Sequence, residues 1–328
     1  MDSESRGMGK SHRLLFVSHS ASRNGASILL LSLLRWLRDN TRYELEVLCC
    51  GTGPLIKEFQ AVAPTRVLRG HRVIQRLLAS SSSSRLSPRL YSLLVGGTVL
   101  GRRFDLVYAN TAAAWPQINA LRHTNTPVLW HIHELPYALE MILGNSARQI
   151  LSASKSRFVA VSQAVANALI RDYDVDGSRV DLVLGFVAGS GIDNTTRLDR
   201  RVKLLASIGW PADAFVVGGC GSPGWRKGSD LFLQIARVCR DVHRDRPMRF
   251  LWVGGDAGDV ETRQFHHDVR KLGLEAVCRH VETIADVDEV YGVMDAFALT
   301  SREDPFPLRS GVCAPRKLAG RRHCPIRC

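Results

Sequence analysis

The sequence predicts an α/β protein in which two parallel β-sheets are each covered by helices. Short runs of buried-strand residues alternate with helical patterns, and this alternation starts again in the second half of the chain. A Gly-rich polar stretch without periodicity, residues 188–196, separates the two series. The length of 328 residues also exceeds what one hydrophobic core usually organises. We therefore expect two Rossmann-like domains.

The first series contains five strand patterns. They cover residues 14–17, 45–48, 106–108, 128–131 and 158–161. After the first strand, leucine and isoleucine recur at helical spacing between Ile28 and Leu37, which predicts a helix packed against the sheet. We assign residues 1–190 to an N-terminal domain with this alternating pattern.

The second series contains three strand patterns, at residues 215–217, 250–253 and 297–299. We assign residues 191–308 to a C-terminal domain. Residues 309–328 differ in character, because they contain six Lys/Arg, no Asp or Glu, three of the eight cysteines and no helical or strand period. We interpret them as an aberrant basic tail.

The net charge of +13 is high enough to suggest a nucleic-acid-binding protein. Removing the six positive charges of the tail leaves +7 for residues 1–308, where the cations are scattered along the chain. The sequence offers no recognition helix or aromatic platform to accompany them. We therefore expect no nucleic-acid partner, and an anionic substrate or a membrane surface fits the charge better.

Cysteine usage and apolar runs favour a cytoplasmic protein. The eight cysteines form no CxxC pair, and a disulfide framework is not expected in a chain of this length. Residues 1–10 are polar and do not resemble a secretory signal, and the apolar runs are too short to cross a membrane. Peripheral association with the inner face of the membrane stays compatible with these features.

A Gly-rich stretch, GGCGSPGWRKG at residues 218–228, lies between a predicted strand and a predicted helix. Its glycines, Gly224 among them, allow a ligand close to the backbone, and the helix N-terminus supplies N–H donors. Arg226 and Lys227 add two cations, so a diphosphate is the expected ligand. The spacing matches neither a P-loop nor GxGxxG, and a simple Gly-rich turn with solvated cations is the alternative.

Two histidines and an acid follow the fourth predicted strand. Strand alternation places His131 and His133 on one side, with Glu134 at the carboxyl end, where ligands bind in open α/β sheets. Contact with a substrate or phosphate, a structural hydrogen-bonding role and a metal site all stay open. The metal site is the least favoured, because no third ligand and no HExxH pattern accompany them.

Two further loops are candidates for ligand contact. SHSASRNG at residues 18–25 follows the first strand, and its small residues, including Gly25, suit close approach, although a plain connector is the alternative. SREDPFPL at residues 301–308 places Glu303 and Asp304 where a helix should begin. A capping role is the alternative for these acids.

Taken together, these motifs and their order resemble family 4 glycosyltransferases of the GT-B fold over residues 13–308. The resemblance rests most strongly on the Arg226-Lys227-Gly228 turn and on the acidic motif. It implies two Rossmann-like domains facing a cleft and transfer of a sugar from a nucleotide-sugar donor, with retention at the anomeric carbon. It also implies a glycan or lipid-linked acceptor and no obligatory metal.

The resemblance assigns roles to individual residues. Lys227, with Arg226, would neutralise the diphosphate leaving group. His133 would reach the cleft from the first domain, and Gly25 would lie near the acceptor and phosphates. Asp304, or alternatively Glu303, would contact the donor sugar.

Two positions depart from the family pattern. Ser222 stands where the family often has an Arg that contacts phosphate. The second family acid, which binds the ribose, would fall at Val312 counting from Asp304, or at Gly311 counting from Glu303.

The tail suggests a frameshifted or truncated reading after residue 308. If synonymous codons for residues 308–328 are chosen freely, the next reading frame can encode an acid, a helix and a strand. Their order is the one that the family pattern has at this place. The second domain would then be incomplete, and we expect weak or no transferase activity from this chain. The alternative function is a non-catalytic remnant that binds a nucleotide sugar or glycan.

Overall fold

A computed structural model of the chain describes residues 11–68, 95, 97–99, 102–153, 155–185, 194–242, 248–284 and 292–305. The chain divides into two compact units, Met1–Phe186 and Val187–Cys328. The boundary predicted at residue 190 and the tail at residues 309–328 both lie outside the described residues. Each unit contains a parallel sheet with flanking helices, so the fold is α/β with two Rossmann-like units.

The first unit is built on a seven-stranded sheet whose order is β3-β2-β1-β4-β5-β6-β7, with every neighbouring pair parallel. The strands are β1 (Arg13–Ser18), β2 (Glu44–Cys49), β3 (Thr65–Val67), β4 (Leu106–Asn110), β5 (Val128–Ile132), β6 (Arg157–Ala160) and β7 (Val180–Leu182). The direction of chain progression reverses between β1 and β4. The loops that leave the carboxyl ends of these two strands therefore flank a topological switch point.

The helices of the first unit include six with defined bounds. They are α1 (Gly25–Asn40), α2 (Ile56–Val62), α3 (Trp115–Leu121), α4 (Pro136–Leu143), α5 (Ala147–Ala153) and α6 (Gln163–Arg171). Short 3₁₀ turns occur at Ala112–Ala114, Arg122–Thr124, Gly144–Ser146 and Gly177–Arg179. Asn24 caps α1 by accepting a hydrogen bond from the Ser27 amide at 2.9 Å, which ends the loop after β1 one residue before Gly25.

The core of the first unit lies where α1 packs on the sheet. Leu30 and Leu34 of α1 contact the same buried cluster as Phe16 of β1 and Val47 of β2. Phe59 of α2 completes this layer and is fully buried. Burying these large apolar side chains fixes the sheet from which the loops at the switch point extend.

The second unit contains a four-stranded parallel sheet of order β10-β9-β8-β11. Its strands are β8 (Phe215–Cys220), β9 (Met248–Val253), β10 (Cys278–Val281) and β11 (Ala296–Phe297), and its helices are α7 (Asn194–Ser207), α8 (Ser229–Val242) and α9 (Val260–Lys271). Trp252 packs with Phe232 of α8 and Phe265 of α9 on one face. Leu251 packs with Leu205 of α7 on the other face.

A buried ion pair ties α7 to this sheet. Arg201 donates to the Asp295 carboxylate at 2.9 Å, and the two side chains are 4% and 8% exposed. The same carboxylate oxygen accepts from the Val216 amide of β8 at 2.8 Å. The pair therefore fixes the chain just before β11, from which the acidic motif follows.

All eight strands predicted from the sequence are present. The strands that the sequence analysis missed are β3, β7 and β10, each of three or four residues with a charged residue inside it. Their pairing with longer neighbours, rather than a strong apolar pattern, defines them. Gly25, expected in the loop, is instead the first residue of α1. None of the described helices is long and apolar enough to cross a membrane.

Candidate functional site

The candidate site of the first unit lies at the carboxyl ends of β1, β4 and β5. Parallel pairing aligns Ser18 with Asn110 and Asn110 with His131, so the loops that follow these strands start side by side. They bring His19 and Thr111 together with the residues after β5. This is the end of the sheet at which ligands bind in α/β folds.

The imidazole rings of His131 and His133 are neighbours, with centroids 4.1 Å apart. The Nδ1 atom of His131 makes a short contact with the Tyr108 hydroxyl. The Nε2 atoms of both histidines are buried and have no hydrogen-bond partner among the residues that the structure describes. Two buried polar atoms without partners are costly unless a ligand or water satisfies them.

Burial sets the charge of these histidines. It lowers the pKa of His131 to about 4 and lowers that of His19 in the same direction. The pKa of His133 falls well below its usual value, first through burial and then through the neighbouring His131 and His19. All three imidazoles are therefore neutral near pH 7.

Glu134 is buried and supports the local backbone. Its Oε2 atom accepts hydrogen bonds from the His133 amide at 2.9 Å and from the Ala112 amide at 3.2 Å. These bonds join the end of β5 to the 3₁₀ turn after β4. Across the described ranges, no three His, Cys, Asp or Glu side chains gather closely enough to hold a metal ion.

Thr111 connects the two loops at the switch point. Its φ of 82° is unusual for a β-branched residue, and such strain persists only where surrounding contacts impose it. Its amide donates to the His131 carbonyl at 3.0 Å, and its hydroxyl lies 3.2 Å from His19 Nδ1. Gly25, at the start of α1, is exposed beside this region.

The candidate site of the second unit is the Gly-rich turn between β8 and α8. Gly221, Gly224 and Gly228 all have positive φ angles, so the turn depends on glycine. A Cβ atom on Gly228 would lie 1.9 Å from the Thr300 carbonyl oxygen. The acidic motif therefore packs directly against the turn. Ser222 is exposed at its start.

Lys227 and Asp304 meet at this turn, although 77 positions separate them in the chain. The ammonium lies 2.5 Å from a carboxylate oxygen, and the side chains are 26% and 14% exposed. The Ser301 hydroxyl is 3.4 Å from the same oxygen, and the Thr300 hydroxyl donates to the Lys227 carbonyl at 3.1 Å. The structure thus places Lys227, which is predicted to bind the diphosphate, against Asp304, which is predicted to contact the donor sugar.

Arg226 and Glu303 hold the backbones of the turn and motif together. The Arg226 carbonyl accepts from the amides of Arg302 at 2.9 Å and Glu303 at 3.2 Å. The Arg226 side chain is exposed and its guanidinium is 3.5 Å from the Glu303 carbonyl.

Arg302, which the sequence analysis did not single out, clamps the turn to α8. Its guanidinium binds both carboxylate oxygens of Asp230, at 2.8 and 2.7 Å, and donates to the Trp225 carbonyl at 3.0 Å. It also lies 5.5 Å from the centre of the Trp225 ring. The side-chain hydrogen bond from Arg302 lowers the pKa of Asp230. No spacing rule in the sequence would have identified this clamp.

The candidate sites of the two units offer different chemistry. The turn combines a helix N-terminus with the cations of Arg226 and Lys227, an arrangement that suits an anion such as a phosphate. The first unit offers neutral imidazoles, which can donate or accept hydrogen bonds.

The sequence profile described as glycosyltransferase family 4 matches residues 23–187, which is half of the chain. The chain belongs to glycosyltransferase family 4. Solved structures of other glycosyltransferases share its fold. HepE from Anabaena, in a complex with UDP and glucose, aligns at 21% identity with a TM-score of 0.65, covering 88% of this chain and 74% of HepE. WaaG, a glycosyltransferase involved in lipopolysaccharide biosynthesis, aligns at 12% identity and TM-score 0.66, covering 92% and 78% of the two chains.

TarM from S. aureus, in a complex with UDP, fondaparinux and α-GlcNAc-glycerol, is a third similar fold. It aligns at 8% identity and TM-score 0.60, covering 90% of the family 4 chain and 82% of TarM. These identities establish similarity of fold. Among curated proteins, no sequence matches significantly.

The structure adds residues to the candidate site of the first unit that the sequence did not single out. The sequence indicated Tyr108 only as part of a predicted strand, and Thr111 belongs to none of the motifs recognised in the sequence. His19 lies in the loop at residues 18–25, whose small residues were its predictive feature. Only contacts across strands, such as that of Tyr108 with His131, reveal their positions.

Proposed function

We propose that this family 4 glycosyltransferase moves a sugar from a nucleotide-sugar donor to a glycan or lipid-linked acceptor, with retention and without an obligatory metal. The observation that carries the proposal is the Lys227–Asp304 pair, 2.5 Å apart, at the Gly-rich turn that opens α8. We place the protein in the cytoplasm, with peripheral association at the inner face of the membrane compatible with its positive charge.

The donor diphosphate binds at the turn in this proposal. Lys227, Arg226 and the positive end of the α8 dipole supply positive charge where the leaving group becomes more negative as the glycosidic bond breaks. Gly224 lets the diphosphate approach the backbone. Because a diphosphate carries more charge than one carboxylate, it takes over the ammonium of Lys227 and leaves Asp304 free to contact the donor sugar.

The first unit supplies His133 to the sugar. Its Nε2 atom is buried without a partner among the described residues, so a sugar hydroxyl or phosphate oxygen would satisfy it. Since its pKa is lowered, the imidazole stays neutral and acts by hydrogen bonding. The UDP, glucose and glycan analogues bound in HepE and TarM support a nucleotide sugar and a glycan as ligands here.

Calorimetry with UDP- and GDP-sugars, followed by a product assay, tests this function. We expect micromolar to millimolar donor binding that Lys227→Ala weakens at least tenfold, since it removes a charge-assisted contact. Lys203→Ala, at an exposed lysine of α7, is the matched control and should bind normally. A product with the anomeric configuration opposite to that of the donor would exclude retention.

A non-catalytic remnant that binds a nucleotide sugar or glycan is the second candidate. It is favoured by Val312 and Gly311, which stand where the family has its ribose-binding acid. Donor binding without any product from a panel of acceptors would support this alternative. Robust turnover of a donor by the purified chain would exclude it.

A further inference from the structure

Tyr108 and His131 form a buried pair beside the proposed sugar-binding histidine. They lie on adjacent strands, where register places Tyr108 opposite Leu129, so its hydroxyl reaches diagonally to His131 Nδ1. The two side chains are 7% and 8% exposed. The Tyr108 ring is held from the other side by Phe16, with ring centres 5.1 Å apart.

The number of protons on this pair determines the tautomer of His131. Burial raises the pKa of the Tyr108 hydroxyl and lowers that of His131, so both groups are neutral. If the hydroxyl donates to Nδ1, the single imidazole proton lies on Nε2. If Nδ1 donates instead, the buried hydroxyl proton has no acceptor among the described residues, which is unfavourable.

Two titratable groups near His131 are Tyr108 of β4, which contacts its Nδ1 atom, and His133, whose ring centre is 4.1 Å away. His19, in the loop after β1, interacts electrostatically with His133. His19 and His133 are neutral by burial. The Oε2 atom of Glu134 accepts from two backbone amides.

We propose that Tyr108 is a positioning residue that fixes His131 as the Nε2–H tautomer, so that His131 donates a hydrogen bond to a ligand oxygen beside His133. The unpartnered, buried Nε2 atom of His131 is the donor. His133 lies next to it, with ring centres 4.1 Å apart, so one ligand can contact both imidazoles. The identity of the ligand as a donor sugar or phosphate rests on the proposed function, whereas the tautomer does not.

Nitrogen-15 NMR of histidine-labelled full-length protein at about pH 8, where neutral imidazole dominates, reads the tautomer directly. We expect Nε2 of His131 to carry the proton and Nδ1 to be bare. Two other histidines of the chain provide reference signals, one for the Nδ1–H tautomer and one for the Nε2–H tautomer. His123 Nδ1 must donate to the Ala120 carbonyl at 2.9 Å, and His280 Nε2 must donate to the Gly254 carbonyl at 2.9 Å.

Tyr108→Phe removes the hydroxyl and should give a mixture of the two His131 tautomers. Tyr173→Phe is the matched control, because Tyr173 is also buried in the first unit but its hydroxyl donates to the Pro136 carbonyl at 3.1 Å. The control should leave the His131 signals unchanged. A wild-type His131 with its proton on Nδ1, or one unaffected by Tyr108→Phe, overturns the proposed tautomer.

Two substitutions of His131 test its contact with a ligand. His131→Gln keeps an N–H donor near the place of Nε2, whereas His131→Asn offers one only near the place of Nδ1. With UDP-glucose as the probe, we expect His131→Asn and Tyr108→Phe to weaken binding by about fivefold to tenfold. His131→Gln should stay within about twofold of the wild type.

The outcomes separate this inference from the proposed function. Equal UDP-glucose affinity in the wild type and His131→Asn overturns the role of His131 as a donor. Failure of the wild type to bind UDP-glucose at all counts against the proposed function for that donor, while the NMR experiment still decides the tautomer. Binding of UDP, compared with UDP-glucose, shows whether the lost contact was to the sugar or the phosphates.

Discussion

At the scale of single residues, the site depends on which groups are charged when no ligand is bound. In the first unit, burial keeps His19, His131 and His133 neutral. In the second unit, the Lys227 ammonium contacts the carboxylate of Asp304. The two candidate sites therefore respond differently to acid and to substitution.

Asp304→Asn should separate nucleotide binding from transfer. The carboxylate competes with a diphosphate for Lys227, so removing its charge should leave UDP affinity unchanged or raise it a few-fold. Transfer from a UDP-sugar should fall by about 100-fold, because the group proposed to contact the donor sugar is lost. Calorimetry and a product assay measure the two effects. Glu303→Gln is the control, and an equal loss of transfer there would favour Glu303 as the sugar-contacting acid.

The lowered pKa of His131 makes the first unit sensitive to acid. Above about pH 6.5 the histidine is neutral both folded and unfolded, and contributes no pH dependence. As the pH falls from 6.5 to about 4, only the unfolded chain takes up the proton, so stability falls by about 3 kcal/mol in total. Urea unfolding at several pH values should show this slope in the wild type and a smaller one in His131→Leu. Identical slopes would contradict the assignment.

At the scale of elements, the turn between β8 and α8 is set by glycine and by the segment that packs on it. Gly228 has a φ of 63° and contacts Thr300, the residue before the acidic motif. Arg302 adds a second connection through Asp230 at the start of α8. The turn and the motif therefore form one structural unit, even though neither belongs to a long strand or helix.

Gly228→Ala should destabilise the second unit more than Gly209→Ala does. Both glycines have a positive φ, 63° and 74°, but a Cβ atom on Gly209 meets nothing within 4 Å. The Gly209 variant therefore measures backbone strain alone, about 1 kcal/mol. Gly228→Ala adds a clash with the Thr300 carbonyl and should cost at least about 1 kcal/mol more. Denaturant unfolding checks this, and equal losses would show that the motif moves aside freely.

At the scale of the whole molecule, the residues proposed for function are distributed over both units. The imidazoles lie in Met1–Phe186 and the cations in Val187–Cys328. The described part of the acidic motif ends at Pro305. The structure of this chain aligns with between 74% and 82% of the length of HepE, WaaG and TarM.

The hypothesis of a shifted reading frame after residue 308 is decided by the coding DNA. We expect the adjacent frame downstream of codon 308 to encode an acid eight positions after Asp304 or after Glu303, followed by a helix and a strand of the family pattern. A chain with that frame restored should transfer sugar at least tenfold faster, because the ribose contact returns. Downstream DNA without such a frame would refute the hypothesis.

Much of the architecture could be predicted, because buried parallel strands must be apolar along their whole length. This is why the runs at residues 14–17 and 250–253 identified β1 and β9. The strands β3, β7 and β10 could not be recognised, since their short, partly charged sequences become strands only when a longer neighbour supplies hydrogen bonds.

The sequence alone determined the two α/β series, the Gly-rich turn and the residue types of the site. These follow from local patterns of hydrophobicity and backbone freedom. Only the tertiary structure decided that Lys227 contacts Asp304 and that Tyr108 contacts His131. Pairing across the fold and burial of an ionisable group depend on which distant segments meet, and no local pattern encodes that meeting.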